Sequence, residues 1–385
     1  MSICSGKTKT GINCTKKIKG SDTLCHLHKD QAIQPEIIND HVKEKPQQII
    51  DIPKSMKSTK IIMPKAKLKI LTEQEVINLE KLRIERAKIL NVWTFNINSI
   101  RNKMDLVDKL LIKHDIDILF LTETKIQPKL EAELNFHPDY ICFWNNNKNS
   151  YHHGTCFIYR KTLQIELLSD FLPTYEHELD VKNKITKNVD VIEQYRSTMD
   201  ENVIKGHNSE GRILTIKCTF NEKEIVIVGT YVPNSGSDKK QPLKRLGYRI
   251  ERWDKSMFYY LLELDKKYKN IIWLGDLNVI VKDNDVLNIK ANIAGVTPEE
   301  IESIRAFLNK NLWIDTWDYS NPNIVKCKAR ATWGVNSKFP LRLDYVICSP
   351  SLKDNIVSSF NDQYFDGSDH IPIGAKFSIE NPIIL

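Results

Sequence analysis

Long apolar stretches are missing from this chain. Its longest runs, such as Ile118-Leu119-Phe120-Leu121, fall far short of the roughly 20 residues that cross a bilayer. The first residues, Met1-Ser2-Ile3-Cys4-Ser5-Gly6-Lys7, hold no apolar h-region, so an intracellular, non-secreted protein is expected. Glycine and proline are scarce, at 14 and 15 of 385 residues, which excludes a collagen-like or low-complexity chain. The eight cysteines sit in no oxidising context, so a disulfide scaffold is not expected. With 41% apolar and 27% charged residues the chain can bury a substantial core, and one large domain with an appendage fits its length.

The charge is unevenly placed. Residues 1–70 hold fourteen Lys, no Arg and six acids, a balance of +8, so the remaining residues sum to 7 − 8 = −1. A Lys-rich arm beside a near-neutral body suits a polyanionic partner. Within residues 1–30, Cys4, Cys14, Cys25 and His28 supply four ligands of the kind that hold tetrahedral Zn²⁺. A peptide of that size cannot bury a core, so bound metal would have to stabilise its fold. Residues 31–88 read as a Lys-rich linker, with helical periodicity from about residue 71 through Val76, Leu79, Leu82 and Ile84. Residues 89–385 then alternate short β-rich runs with amphipathic helices, and residues 176–207 look inserted. Strands are expected at 91–97, 116–122, 139–144, 154–160, 211–219, 223–231, 270–275, 341–348 and 371–378, and helices at 101–114, 249–268 and 298–310. Hairpin spacing across Phe220-Asn221-Glu222 favours a mixed α/β sandwich over a purely parallel sheet.

Polar clusters stand where these strands end: Asn96-Ile97-Asn98, Glu123-Thr124-Lys125, Tyr231-Val232-Pro233-Asn234, Asp276-Leu277-Asn278, Arg342-Leu343-Asp344 and Asp369-His370. One such cluster is an ordinary turn. Six of them describe a sheet edge lined with hard oxygen ligands, which suits Mg²⁺ or Mn²⁺ and phosphate-ester hydrolysis.

The ordered set F-N-I-N-S-I-R (95–101), D-I-L-F-L-T-E-T-K (117–125), E-G-R (210–212), Y-V-P-N-S-G (231–236), W-L-G-D-L-N-V (273–279), A-G-V-T-P-E-E (294–300), R-L-D-Y (342–345) and G-S-D-H-I-P-I (367–373) resembles the endonuclease/exonuclease/phosphatase superfamily, and within it the exonuclease III class of abasic-site endonucleases. The resemblance implies a four-layer α/β sandwich of two packed mixed sheets flanked by helices. It implies Mg²⁺ or Mn²⁺ held by Asn98, Glu123, Asp276, Asn278 and Asp369. By the same likeness the catalytic groups are Tyr231, Asp276, Asn278, Asp344 and His370, with Asp276 activating water and Asp344 orienting His370. DNA contacts fall on Asn96, Arg101, Lys125, Asn234 and Trp333. The implied substrate is double-stranded DNA with abasic sites, cut by a monomer 5′ to the lesion during base excision repair, with 3′-exonuclease or 3′-phosphodiesterase activity beside it.

Two departures bear on specificity. Asn98 stands where many relatives carry Asp, and the loop Ala331–Lys338 before R-L-D-Y is short. A retroelement-type nicking endonuclease and a lipid or inositol phosphatase of the same superfamily are the alternatives. The bias of 44 Lys against 12 Arg, with abundant Asn and Ile, points to an AT-rich genome. Together with the Cys/His module it suggests a large DNA virus, acting in the host nucleus, a cytoplasmic viral factory or the virion.

Removing residues 1–70 should flatten the dependence of log affinity for DNA on log salt. Each phosphate that is no longer neutralised takes about 0.9 from that slope. The cleavage rate at saturating DNA should not change, and elemental analysis should find one zinc in the full chain and none in the truncation.

Overall fold

The computed structural model describes residues 73–134, 136–147, 150–172, 210–236, 242–287 and 293–380, together with two short strands near the N-terminus. The chain divides into two compact units, Met1–Lys69 and Ile70–Leu385. In the first, Ser2–Ile3 pairs antiparallel with Lys17–Ile18. Cys4, Cys14, Cys25, His28 and residues 176–207 lie outside the described residues.

The second unit begins with helix α1 (Glu73–Ala87) and strand β1 (Ile89–Asn96), then helix α2 (Met104–Lys113). Strands β2 (Ile118–Thr122), β3 (Tyr140–Asn145), β4 (Thr155–Arg160), β5 (Gln164–Ser169), β6 (Ile213–Phe220) and β7 (Lys223–Tyr231) follow. Next come helix α3 (Lys255–Lys267), strand β8 (Ile271–Asp276), helix α4 (Pro298–Asn311) and the short strand β9 (Ile314–Asp315). The unit closes with β10 (Asp344–Cys348), β11 (Ile356–Asn361) and β12 (Ile373–Ser378).

These strands form two six-stranded mixed sheets, ordered β9-β10-β8-β7-β6-β5 and β11-β12-β1-β2-β4-β3. Each sheet contains a parallel pair, β7 with β8 and β1 with β2, flanked by antiparallel neighbours. The central strands alternate between two buried faces. In β1, Leu90 and Val92 enter the layer between the sheets, whereas Trp93 and Phe95 pack outward over Val107, Leu110 and Leu111 of α2. In β8, Ile272 and Leu274 face inward, whereas Ile271 and Trp273 meet Leu261 of α3 and Ile304 and Phe307 of α4. Three apolar layers between four structural layers follow directly from this two-face patterning.

The expected strands and helices are present, with ends shifted by a few residues: the R-L-D-Y strand runs Asp344–Cys348, α2 begins at Met104 and α3 at Lys255. Asn221 and Glu222, both at positive φ, make the two-residue hairpin turn between β6 and β7. Helix α3 is preceded by a wider π-helical turn, Arg249–Asp254. Strands β5, β9 and β11 are not expected from the sequence, and all three are sheet edges. Gln164 and Glu166 keep one face of β5 polar, Ser358 and Ser359 put a polar group on each face of β11, and β9 has two residues, so none carries the apolar run that marks a central strand. The apolar stripe of α1 is a second difference: Leu79, Leu82 and Ile84 are more than half exposed. Arg86 holds the helix instead, donating to Asp115 Oδ2 at 2.5 Å and Asp117 Oδ1 at 2.8 Å. The cysteines at 142, 156, 218, 327 and 348 are free thiols, four of them buried.

The sheets meet closely where Phe120 of β2 lies against Gly229 of β7. A Cβ on Gly229 would come within 2.3 Å of the Phe120 ring. Phe120→Ala should therefore open a cavity at the centre of the sandwich and cost about 3–5 kcal/mol. Equilibrium urea unfolding of the variant against the parent chain measures it.

Candidate active site

Both parallel pairs end at the same edge of the sandwich, and their last residues face one another across the two sheets. In one sheet, Tyr231, Asp276 and Asp344 occupy a single cross-strand row on β7, β8 and β10. In the other, Asn96 closes β1 beside Thr122, and Glu123 follows at once. The Asn96 amide joins the rows: its Nδ2 donates to Glu123 Oε1 and to Asp276 Oδ2, both at 3.0 Å.

Backbone conformation turns these side chains toward the edge. Asn98, Glu123, Lys125 and Asn278 all have φ between 44° and 54°, the left-handed region that few non-glycine residues occupy. Each lies just past a strand, where the chain must swing away while its side chain stays in the pocket. Gly275 has φ 137°, and a Cβ there would lie 1.9 Å from the Thr230 carbonyl oxygen. Only glycine can precede Asp276 in that geometry.

Asp276 is the most deeply enclosed carboxylate facing the pocket from β8, 1% exposed. Its Oδ1 accepts from the Asn278 backbone N–H at 2.9 Å. Burial, with Asp344 and Glu123 nearby, pushes its carboxyl up to about 7 despite the His370 cation. His370 Nδ1 is 2.7 Å from Asp344 Oδ2, and its Nε2 is 4.0 Å from Asp276 Oδ2. Burial alone would lower the imidazole, but Asp344, Asp276 and Asp369 outweigh it and raise it to about 10. His370 is therefore an imidazolium at neutral pH, with Nδ1–H donated to Asp344 and Nε2–H directed to the pocket. The second oxygen of Asp344 is buried without a hydrogen-bond partner.

The other half of the pocket is built on Glu123. Tyr231 donates its phenol to Glu123 Oε1 at 2.8 Å, and Lys125 Nζ lies 2.6 Å from Oε2. Burial pushes the Glu123 carboxyl up, yet Asn96, Lys125 and Tyr231 together hold it below the usual range, so it is ionised. Burial pushes the Tyr231 phenol far above its ordinary range and keeps it protonated. Asn98 links this group to Asp369, its Nδ2 donating to Asp369 Oδ1 at 2.9 Å, while Trp333 Nε1 donates to Asp369 Oδ2 at 3.1 Å. Burial opposes ionisation of Asp369 too, but His370, Trp333 and Asn98 lower its carboxyl.

The donor set fits a hard divalent cation. Lys125 Nζ sits between Glu123 Oε2 and Asn98 Oδ1, 2.6 Å from each, so the hard oxygens there already converge on positive charge. Asp276, Asp344 and His370 also offer ligand atoms within 4.8 Å of one another. In that trio a protonated His370, engaged by Asp344, has no lone pair to offer a metal.

The residues picked out at strand ends thus come together, with three changes of place. Asn96 is fully buried and spends its amide on Glu123 and Asp276, so it does not face DNA. Lys125 is turned inward onto Glu123. Asn278 holds Val232 O through Nδ2 at 2.9 Å and accepts from Asn234 Nδ2 at 3.2 Å, which keeps both amides at the pocket wall. Arg101 stays at the surface, its guanidinium 4.5 Å over the Tyr151 ring. Arg212 has no role that the sequence assigns. It is buried, lies 4.8 Å over the Tyr231 ring, and is clamped by Glu210 and by His153 Nδ1 at 3.0 Å. The E-G-R motif is its signal, but a lone Arg at a strand start does not reveal an aromatic partner one strand away.

The family model described as endonuclease/exonuclease/phosphatase matches residues 93–370. The chain belongs to the endonuclease/exonuclease/phosphatase family. It is 29% identical over 306 residues to a DNA-(apurinic or apyrimidinic site) endonuclease of Dictyostelium discoideum, spanning 77% of this chain and 73% of the relative. It is 27% identical over 292 residues to an exodeoxyribonuclease of Bacillus subtilis (strain 168), spanning 74% of this chain and 98% of that one. In structure it is similar to the AP endonuclease LMAP of Leishmania major, with a TM-score of 0.61 at 23% identity over 77% of this chain and 90% of that one. The chain is a phosphodiester hydrolase by family, and the family depends on a divalent metal.

The imidazole of His370 should stay protonated through pH 8 and lose its proton only as the pH rises toward about 10. Replacing Asp344 by Asn should bring that titration down by more than one unit, since each unit corresponds to about 1.4 kcal/mol of lost ion pairing. Imidazole nitrogen shifts followed by NMR across pH 5–10 measure both.

Proposed function

We propose that this chain is a DNA-repair nuclease that hydrolyses the phosphodiester 5′ to abasic sites, leaves a 3′-hydroxyl, and also trims blocked 3′ ends. The observation that carries this reading is the facing of the Tyr231–Asp276–Asp344 row by Asn96 and Glu123, with His370 charged between the acids. An abasic-site endonuclease and an exodeoxyribonuclease among the relatives support the choice of DNA over a lipid or inositol phosphate.

The chemistry follows from where charge can be held. A phosphate diester gathers negative charge on its non-bridging oxygens as water adds to phosphorus. The His370 Nε2–H is placed to receive that charge, while Asn278, whose amide bonds Val232 O and Asp276, orients the Asp276 carboxylate. Asp276, with its carboxyl near 7, can take a proton from the attacking water at neutral pH, where a base of matched strength works best. Asp344 keeps the imidazole in one tautomer and charged. Tyr231 keeps its proton and fixes the Glu123 carboxylate, with Arg212 supporting the ring. Glu123, with Asn98 and Asp369, would hold Mg²⁺ or Mn²⁺, which supplies charge neutralisation at the phosphate and polarisation of the leaving oxygen. Trp333, beside Asp369, is the aromatic available to an extrahelical sugar. In the N-terminal unit, Cys4, Cys14, Cys25 and His28 are proposed zinc ligands.

A labelled duplex with one abasic analogue should be cut 5′ to the analogue in Mg²⁺ and left whole in EDTA. The matching intact duplex should be cut far more slowly. Equal cleavage of both duplexes would sink the abasic-site reading and leave a nuclease without lesion preference.

Asp276→Asn and His370→Asn should each lower the single-turnover rate by about 10²–10³ while DNA affinity changes little, because both act on charge that develops in the transition state. Either variant within tenfold of the parent chain would remove the assignment.

Glu123→Ala should abolish Mg²⁺-supported cleavage, with partial recovery at raised metal, since Asn98 is too weak a ligand to replace the carboxylate. Isothermal titration with Mg²⁺ should show the weakened affinity independently of turnover.

A further inference from the structure

A cleft of about 370 Å³ opens between the turn that follows Trp333 and the loop that joins β11 to β12. Its size lies within the roughly 300–1,000 Å³ typical of small-molecule sites. It adjoins the catalytic edge because Asp369 lines it while also holding Asn98 and Trp333. Ser368, another lining residue, donates to the Asn96 carbonyl at 2.7 Å. Whatever fills the cleft therefore lies next to the phosphate that is cut.

Its chemistry is unlike the rest of the edge. Among the described residues that line it there is no Lys or Arg, and two carboxylates, Asp366 and Asp369, face it. Such a lining repels a phosphate. It accepts hydrogen bonds instead, and the Asn336 side chain adds an amide of the kind that reads base edges, while Gln363 spends its Nε2 on the Lys328 and Ala329 carbonyls. Tyr364 stands at this cleft, 96% exposed as a residue, on a turn whose backbone is tied to Asp362 through the N–H groups of Tyr364 and Phe365. A large ring presented to water on an anchored turn is a stacking platform without its partner.

We propose that this cleft is a nucleobase subsite, taking one unpaired, amino-bearing base of the DNA strand beside the scissile phosphate. The base lies on the Tyr364 ring and its exocyclic amine donates to Asp366. A paired base cannot enter, because its amine is engaged and its faces are covered by neighbours. The subsite thus gives the enzyme a preference for frayed or mismatched nucleotides next to the cut. This rests on the reading of the chain as a DNA nuclease.

The test uses the full chain with Mg²⁺ and duplexes carrying an abasic analogue, with a phosphorothioate at the scissile position to slow cleavage. 2-Aminopurine is placed at the adjoining nucleotide, either unpaired or paired. The parent chain should quench the unpaired probe and bind that duplex more tightly by roughly tenfold, the scale of one base-on-aromatic stack. Tyr364→Ala should lose both the quenching and the preference, Tyr364→Phe should keep them, and neither should change affinity for the paired duplex or the saturated cleavage rate on an ordinary phosphodiester. Asp366→Asn should keep the quenching but lose discrimination between an unpaired adenine and an unpaired thymine. The same preference in Tyr364→Ala as in the parent chain would overturn the proposal. So would displacement of the DNA by an equal concentration of free deoxyadenosine, which would make the cleft a soluble-nucleoside site. If the parent chain binds neither duplex, the nuclease reading itself fails.

Discussion

One amide holds the two halves of this molecule in working register. Asn96 Nδ2 reaches Glu123 in its own sheet and Asp276 in the other, using both of its hydrogens on carboxylates from opposite sides of the sandwich. The packing between the sheets, centred on Phe120 against Gly229, sets the separation that lets one side chain span them. A buried carboxylate deprived of such a donor costs about 1–3 kcal/mol or more. The bridge therefore both stabilises the edge and fixes the distance between the Glu123 half and the His370 half of the pocket.

That pocket gathers Asp276, Asp344, Glu123 and Asp369 within a small, mostly water-excluded volume, which would be unstable without compensation. Compensation comes in two separate forms. His370 supplies a cation to the Asp344–Asp276–Asp369 side, and Lys125 supplies one to Glu123 and Asn98. The division has a chemical consequence. Glu123 and Asp369 are held ionised by the donors and cations beside them, whereas Asp276, wholly buried and facing Asp344, is pushed up to about 7 although it too accepts from Asn96 and Asn278. Carboxylates of one cluster are thus set apart by burial and by the charge of their nearest neighbours.

Much of this is legible in the sequence because strand ends are legible. Two-face apolar runs mark central strands, and the polar residue that stops each run falls at the sandwich edge, so Glu123, Tyr231, Asp276, Asp344 and His370 stand out in the linear text. What the sequence does not carry is the direction a side chain takes across the sheets. Asn96 and Lys125 resemble outward contacts when read in line, and both turn inward: Asn96 onto carboxylates at the ends of other strands, Lys125 onto Glu123 two residues before it. Edge strands escape for the opposite reason: β5 and β11 bury little of one face and β9 has two residues, so their pattern merges with that of loops. The apolar side chains of α1 show that periodicity identifies a helix without naming what its face meets.

The R-L-D-Y motif shows how far the support of such a site extends. Asp344 is its chemical part, but Arg342 anchors the strand. Its guanidinium grips Asp315 with two bonds of 2.6 and 2.7 Å, while its backbone N–H donates to the Asp285 carbonyl at 3.0 Å. Asp285 in turn accepts from Arg330 at 2.7 Å and from Tyr345 at 3.3 Å, and Arg330 reaches Asp318 at 2.6 Å. Arg330, Arg342 and Asp285 are almost wholly buried, so removing any one leaves a desolvated charge behind, at a cost of about 3–5 kcal/mol. Apolar residues of similar volume could stabilise the same space equally well. What they could not do is fix the start of β10 from several directions at once. Asp344 must stand opposite Asp276 and within 2.7 Å of an imidazole carried by a different sheet. A directional, charged network beneath the strand meets that demand, because its geometry tolerates neither a slip in register nor a rotation of the backbone.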